Sequence, residues 1–255
     1  MNKKTSDIIV INKPIGLTPM QAIIDFKKKN KEYIKESISH AGKLDPLAEG
    51  LLLLVTGKKT FKLKKFLRLE KEYQAKILFG ISTDSFDIQG IPKSSNYQDI
   101  DKEKISEIIS SFMGEYEQEI PVFSGKKVNR RPLFYYARMD KLSEIKIPVQ
   151  KVLIKNITLD YISKIDNENL LKDIIRKINS LTGDFRQDEI RKAWRNLLTK
   201  EKKDYITIDI TVTCSSGTYI RGLAKDIGKK LGTEAILLGL KRTRIGKFTL
   251  RDVTK

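Results

Sequence analysis

The chain has 255 residues, with 50 Lys and Arg against 32 Asp and Glu, a formal net charge of +18, and 40% hydrophobic residues. This is enough apolar content to build a core, and the positive surplus points to a polyanionic partner such as RNA, DNA or an anionic membrane surface. A single Cys214 excludes an internal disulfide, the N-terminus lacks the apolar stretch of a signal peptide, and no apolar run approaches the roughly 20 residues of a membrane helix, so a cytoplasmic protein without a membrane span is expected.

Along the chain, Asp7-Ile-Ile-Val-Ile-Asn12 reads as a buried strand, and Lys13-Pro-Ile-Gly16 supplies the Pro and Gly of a following turn. Thr18-Pro19 opens a helix to about Lys29, with Thr18 as N-cap and Pro19 at the first helical position. The Gly- and Pro-containing stretch from Ser39 to Gly50 reads as a structured loop, and Leu51 to Val55 as a buried strand. Glu72 to Gly80 and Ile206 to Val212 have strand composition; Ile206, Ile208, Ile210 and Val212 alternate onto one face. Asp101 to Met113 and Gly222 to Leu231 read as amphipathic helices. Strands and helices mix without a βαβ period, which predicts a single α+β domain over residues 1–255 with a mixed, largely antiparallel sheet flanked by helices. From about Ser163 to Asp204 the chain turns polar and helix-favouring, with Leu170, Leu171, Ile174, Ile175, Ile178 and Leu181 at helical spacing, so an inserted helical hairpin is expected there. That segment holds 11 basic and 8 acidic residues, so most of the positive charge lies elsewhere.

The charge is also local. Lys58, Lys59, Lys62, Lys64 and Lys65 fall in one cluster, and Lys126, Lys127, Arg130 and Arg131 in another, both suited to RNA phosphates and both open to the plainer reading of a solvated face. Read without context, Asp45-Pro46 is a helix start, because Asp caps free N–H groups and Pro tolerates the first turn. His40 is the only histidine, so no His-based metal site can form, and no nucleophile-elbow pattern supports a serine triad. Asp84 and Asp87 could hold magnesium, and with Asp45 would make a metal-dependent nuclease; a turn built on Asp side chains is the favoured reading of that stretch. Neither a P-loop nor a GxGxxG is present, so no nucleotide cofactor is expected.

Five ordered segments together resemble one family. The stretch from His40 through Lys43-Leu-Asp-Pro46 to Gly50 is similar to the signature loop of TruB-type pseudouridine synthases. Asn12-Lys-Pro-Ile-Gly-Leu-Thr18 resembles their N-terminal motif. Lys71-Glu-Tyr73, Leu78-Phe-Gly80 and Thr83-Asp-Ser-Phe-Asp87 resemble their second. Pro121-Val-Phe-Ser124, Lys127-Val-Asn129 and Leu133 to Arg138 resemble their third. Cys214-Ser-Ser-Gly-Thr-Tyr-Ile-Arg221 with Asp226, Gly228, Leu231-Gly232 and Leu240-Lys-Arg-Thr243 resembles their last.

The resemblance implies a pseudouridine synthase fold and an isomerase that turns uridine 55 in the T arm of tRNA into pseudouridine after extruding the base, with no metal or other cofactor. It makes Asp45 the catalytic carboxylate, acting as nucleophile or as base on the ribose. Arg221 would be its guanidinium partner, although by sequence alone Arg221 could pair with Asp226. Tyr73 would stack on the target base, Tyr219 line the pocket, His40 hold the RNA, and Lys13 and Leu240 fill further pocket positions. A monomer is expected, with tRNA as partner. A scaffold kept only to bind or fold RNA is the alternative, against which the joint presence of Asp45, Tyr73 and Arg221 argues. The sequence departs from the family pattern at Pro19, Lys43, Glu49 and Arg130, where Arg130 stands at a position commonly Gly. Family members usually continue into a small RNA-binding domain, often of PUA type, which is not evident here, and the 163–204 insertion is a candidate to take over part of its grip.

Overall fold

The structure, a computed structural model, describes residues 7–95, 102–200 and 203–254. Its strands are β1 (Ile8–Lys13), β2 (Ile38–His40), β3 (Ala48–Thr56), β4 (Lys71–Phe79), β5 (Ile81–Thr83), β6 (Pro92–Ser94), β7 (Gly114–Glu119), β8 (Lys127–Val128), β9 (Arg131–Pro132), β10 (Val149–Asp166), β11 (Asp204–Cys214), β12 (Ala235–Ile245) and β13 (Phe248–Thr249). The α-helices are α1 (Pro19–Lys29), α2 (Leu63–Leu67), α3 (Lys102–Ser110), α4 (Leu133–Arg138), α5 (Asn167–Asn179), α6 (Gln187–Leu198) and α7 (Ile220–Lys230). Asp101, the expected start of α3, lies outside the described residues, as do Glu201 and Lys202 in the 163–204 segment.

The main sheet runs β1-β3-β12-β4-β11-β10-β7, with β2 beside β3 and β13 beside β12. Every pairing in it is antiparallel except β12 on β3, so the fold is the α+β arrangement the sequence implies. The alternation of β11 sends Ile206, Ile208, Ile210 and Val212 to one face, where they pack with Ile105 and Ile109 of α3 and Leu223 and Ile227 of α7. On the opposite face, Leu78, Tyr205, Ile236 and Leu238 meet α5 and α6. α1 covers Ile9, Leu52 and Leu54.

The α5–α6 hairpin is built on strict i, i+4 spacing: Leu170, Ile174 and Ile178 from one helix, Ile190, Trp194 and Leu198 from the other, all fully buried. Each such side chain contributes about 1.5–3 kcal/mol of burial free energy. Asp166 caps α5 through the Asn169 amide at 2.8 Å. Trp194 Nε1 donates to the Ile88 carbonyl at 3.1 Å, tying the hairpin to the loop after β5. Asp166 and Asp204 are register partners on β10 and β11, so the hairpin leaves and re-enters the sheet at one point. The residues at the ends of the 163–204 segment, Ser163–Asp166 and Asp204, are strand, not helix.

Candidate active site

Asp45 does not start a helix. Its carbonyl accepts from the Ala48 amide at 3.0 Å, closing a turn that feeds straight into β3. Asp and Pro favour such turns as readily as helix starts, and here the apolar run of β3 decides the outcome. The turn is held from behind. The Pro46 carbonyl accepts from the Gly16 amide at 2.8 Å and from Lys13 Nζ at 3.3 Å. Lys13 also donates to the carbonyls of Pro14 at 2.9 Å and Leu17 at 2.7 Å. From the other side, the buried guanidinium of Arg242 donates to the carbonyls of Leu51 (2.8 Å), Lys43 (3.0 Å) and Gly42 (3.4 Å), clamping both ends of the loop. Gly50 is the close approach that permits this: at φ +104, a Cβ there would lie 2.3 Å from the Arg242 carbonyl oxygen.

Arg221, in the first turn of α7, meets Asp45: its Nε donates to Oδ2 at 2.8 Å. Its other nitrogens donate to the carbonyls of Ser85 (2.8 Å) and Phe123 (3.3 Å), and Asp87 Oδ2 lies 3.6 Å away. The pairing with Asp226 left open by the sequence is not made. The Arg221 side chain is 5% exposed and that of Asp45 40%, so a buried cation presents a carboxylate that faces solvent. Burial alone would depress the guanidinium, but Asp45 and Asp87 outweigh it and hold Arg221 above its ordinary value. Burial raises the Asp87 carboxyl, with the Asp45 charge adding and Arg221 opposing.

The N-terminus of α7 is itself positioned. Gln118, fully buried on β7, accepts from the Tyr219 amide at 2.8 Å and donates to the Tyr219 carbonyl at 3.0 Å, bracketing the residue that precedes the helix. Sequence reasoning assigned no role to Gln118, and it quoted Arg242 only as part of a motif. The one local signal was a polar side chain at an inward strand position, which has no meaning until its partners are known.

A cavity of about 410 Å³ gathers Asp45, Tyr73, Tyr219, Arg221 and Leu240. Tyr73 comes from β4, one strand over from β12, with Arg242 as its register partner. Burial pushes its phenol upward, so it is protonated at neutral pH. Lys13, expected at a pocket position, and His40, expected to hold the RNA, do not line the cavity. Lys13 has no exposed surface and acts on the Pro46 turn, with burial bringing its ammonium down to about 8. His40 pairs with Leu54 at the edge of β3; its Nδ1 is buried, and burial, Lys43 and Arg242 together lower its pKa, so the ring is neutral.

Of the basic clusters, Lys58, Lys62, Lys64 and Lys65 are exposed and Lys59 half-buried, around and in α2, whose last residue Leu67 reaches the cavity. Lys126, Lys127, Arg130 and Arg131 are exposed on and beside the β8–β9 hairpin, and Lys126 lines the cavity. The turn between those strands is Asn129–Arg130, at φ 49 and 67, a type I′ geometry. Asp84 accepts from the Ile91 amide at 2.9 Å and pairs with Arg186 at 3.3 Å, while Asp87 accepts from Ser85 and the Gln89 amide. The stretch is therefore a turn built on Asp side chains, and Asp45, Asp84 and Asp87 do not converge as the nuclease reading requires. Among the described residues, no helix is long and apolar enough to cross a membrane.

Residues 28–177 match the family model described as "TruB family pseudouridylate synthase (N terminal domain)". The chain is 34% identical over 248 residues to the tRNA pseudouridine synthase B of Parabacteroides distasonis, covering 96% of this chain and 87% of that protein. It is 32% identical over 256 residues to that of Phocaeicola vulgatus, covering 99% and 91%. Among solved structures, a Cbf5-Nop10-Gar1 complex superposes with a TM-score of 0.59 at 22% identity, covering 95% of this chain and 49% of that one. An H/ACA RNP bound to a substrate RNA containing 2′-deoxyuridine gives a TM-score of 0.56 at 21% identity, covering 95% and 48%. The chain thus spans about half the length of these structural neighbours, and the likeness to them is one of fold.

Proposed function

The chain belongs to the TruB family of pseudouridylate synthases, and from that membership we propose that it isomerises uridine 55 in the T arm of tRNA to pseudouridine, with Asp45 as the reacting carboxylate. The observation that carries the reading is the Asp45–Arg221 hydrogen bond at 2.8 Å inside the cavity that also holds Tyr73. A buried guanidinium favours the ionised carboxylate by Coulomb attraction and hydrogen bonding, the form needed either to attack the ribose or to take a proton from it. With Oδ2 engaged by Arg221, Oδ1 is the oxygen left for the sugar. The N1–C1′ bond breaks, the uracil turns, and C5 bonds to C1′; C5 loses a proton and N1 gains one, so substrate and product are isomers. Tyr73, which lines the same cavity, stacks on the target base and sits near C5, where a proton must finally leave. The clusters Lys58–Lys65 and Lys126–Arg131 supply the phosphate contacts, while Lys13 and His40 act from behind and beside the catalytic loop.

The test is tritium release from tRNA labelled at uridine C5. Wild type is expected to release tritium with product mapping to the T arm, and Asp45→Asn to release none while still binding tRNA. Binding without release by wild type would replace this reading with an RNA-binding or RNA-folding role.

A further inference from the structure

The cavity that holds Asp45 is lined by one carboxylate, Asp45 itself, and by five cations: Lys43, Lys71, Lys126, Arg221 and Arg242. Three of the cations are engaged. Arg221 binds Asp45, Arg242 clamps the carbonyls of the catalytic loop, and the buried Lys71 donates to the carbonyls of Leu67 at 2.5 Å and Leu69 at 2.6 Å. The other two, Lys43 and Lys126, are exposed, and among the described residues neither pairs with a carboxylate.

Lys43 is one of the positions at which the sequence departs from the family pattern, and the structure has a place for it. Its carbonyl accepts from Arg242 at 3.0 Å, so the root of the side chain is fixed while its charge stays unpaired. Its Nζ reaches from the catalytic loop to Gly125, shortly before β8 and also on the cavity wall, where a Cβ would overlap the ammonium. Gly125 is not at positive φ, so its backbone would accept a side chain; the space that the glycine leaves is the space Lys43 Nζ fills. Lys43 and Asp45 stand two residues apart in one turn, which keeps their backbones within about 7 Å. A nucleotide with its base on Tyr73, which is 8% exposed, and its ribose at Asp45 turns its phosphates outward, to the side where Lys43 is exposed.

We propose that Lys43 binds a phosphodiester of the target uridine itself, the linkage that carries the extruded nucleotide, and that Gly125 is the seat that keeps its ammonium at the cavity. The contact is a charge-assisted hydrogen bond from an ammonium to a phosphate oxygen, made by a point charge that needs no fixed fork geometry. It differs from the contacts of the clusters Lys58–Lys65 and Lys126–Arg131 in being tied to the reacting nucleotide, so it holds C1′ against Asp45 as well as the RNA on the protein. This assignment rests on the isomerase reading above; binding and turnover are measured separately to tell the two apart.

Affinity for a T-arm stem-loop RNA is read by fluorescence anisotropy, and turnover by tritium release, for wild type, Lys43→Met, Lys43→Arg, Gly125→Ala and the Lys43→Met, Gly125→Ala double variant. The RNA is used with all phosphates intact and with a neutral methylphosphonate on the 5′ or the 3′ side of the target. Lys43→Met is expected to bind intact RNA about tenfold more weakly and to lower the slope of log affinity against log salt by about 0.7–0.9, with Lys43→Arg recovering most of the loss. One of the two methylphosphonate RNAs should bind wild type about tenfold more weakly, yet bind Lys43→Met as well as intact RNA does. Gly125→Ala should weaken binding by wild type and leave that of Lys43→Met unaffected. Lys43 is exposed and Met keeps its length, so folding is not at stake. Equal affinities of wild type and Lys43→Met, or methylphosphonate penalties of one size in both proteins at both linkages, would overturn the contact whatever the turnover. The coupled pattern without tritium release by wild type would instead overturn the isomerase reading and leave the contact standing.

Discussion

Lys13 shows how far the site extends beyond the residues that touch its cavity. Its ammonium has no exposed surface and no carboxylate at hydrogen-bonding distance, only three carbonyls, and burial lowers it from 10.5 to about 8, with Asp45 the main opposing influence. Between those values the unfolded chain holds the proton more tightly than the folded one, so this group's contribution to stability rises with pH across that window. The stability advantage of wild type over Lys13→Met is therefore expected to grow by about 2 kcal/mol between pH 7.5 and pH 10, read from urea unfolding of both proteins. A flat or shrinking difference would show that Lys13 stays charged through that range. The carboxylates divide in a related way. Asp87, buried, is pushed upward, whereas Asp45, with the same guanidinium but open to the cavity, is the one a substrate can reach. At this scale Asp45, Tyr73, Tyr219, Arg221 and Leu240 were legible through the family resemblance and do line the cavity, whereas Lys13 and His40 do not. The supports Arg242 and Gln118 were not legible, because their meaning lies in carbonyls and amides contributed by other strands.

Among the elements, the β8–β9 hairpin carries the clearest tension between local conformation and sequence. Asn129 tolerates the left-handed region, but Arg130 at φ 67 does not relish it, since its Cβ crowds the following carbonyl. Arg130→Gly is expected to stabilise the protein by up to about 1 kcal/mol in thermal or chemical unfolding while weakening tRNA binding through the lost charge. Loss of stability would mean that the Arg130 side chain makes a compensating contact. Where local chemistry and burial agreed, the elements were readable: Thr18 caps α1 in a box with Gln21, and β11 alternates as its four β-branched residues require. Where they diverged, they were not. Asp45-Pro46 has the letters of a helix start and sits in a turn. The 18-residue β10 was unreadable because few of its side chains are buried and its pattern is set by two neighbouring strands.

At the scale of the whole molecule, the α5–α6 hairpin shares one core with the sheet, and Leu47, two residues past Asp45, belongs to it. Trp194 is at the centre, with no exposed surface and its indole N–H on Ile88. Trp194→Ala is expected to cost about 3–5 kcal/mol in urea unfolding, and Trp194→Phe distinctly less. A loss below about 1 kcal/mol would show that the hairpin is an appendage and not part of the core. The register pairing of Asp166 with Asp204 has a consequence for how the chain finds its shape. A disordered segment of that length would oppose the meeting of β10 and β11 by about 3 kcal/mol of loop-closure entropy. Two antiparallel helices joined by a short turn bring their own ends together, so the longest strand pairing in the sheet becomes, in kinetic terms, a nearly local contact.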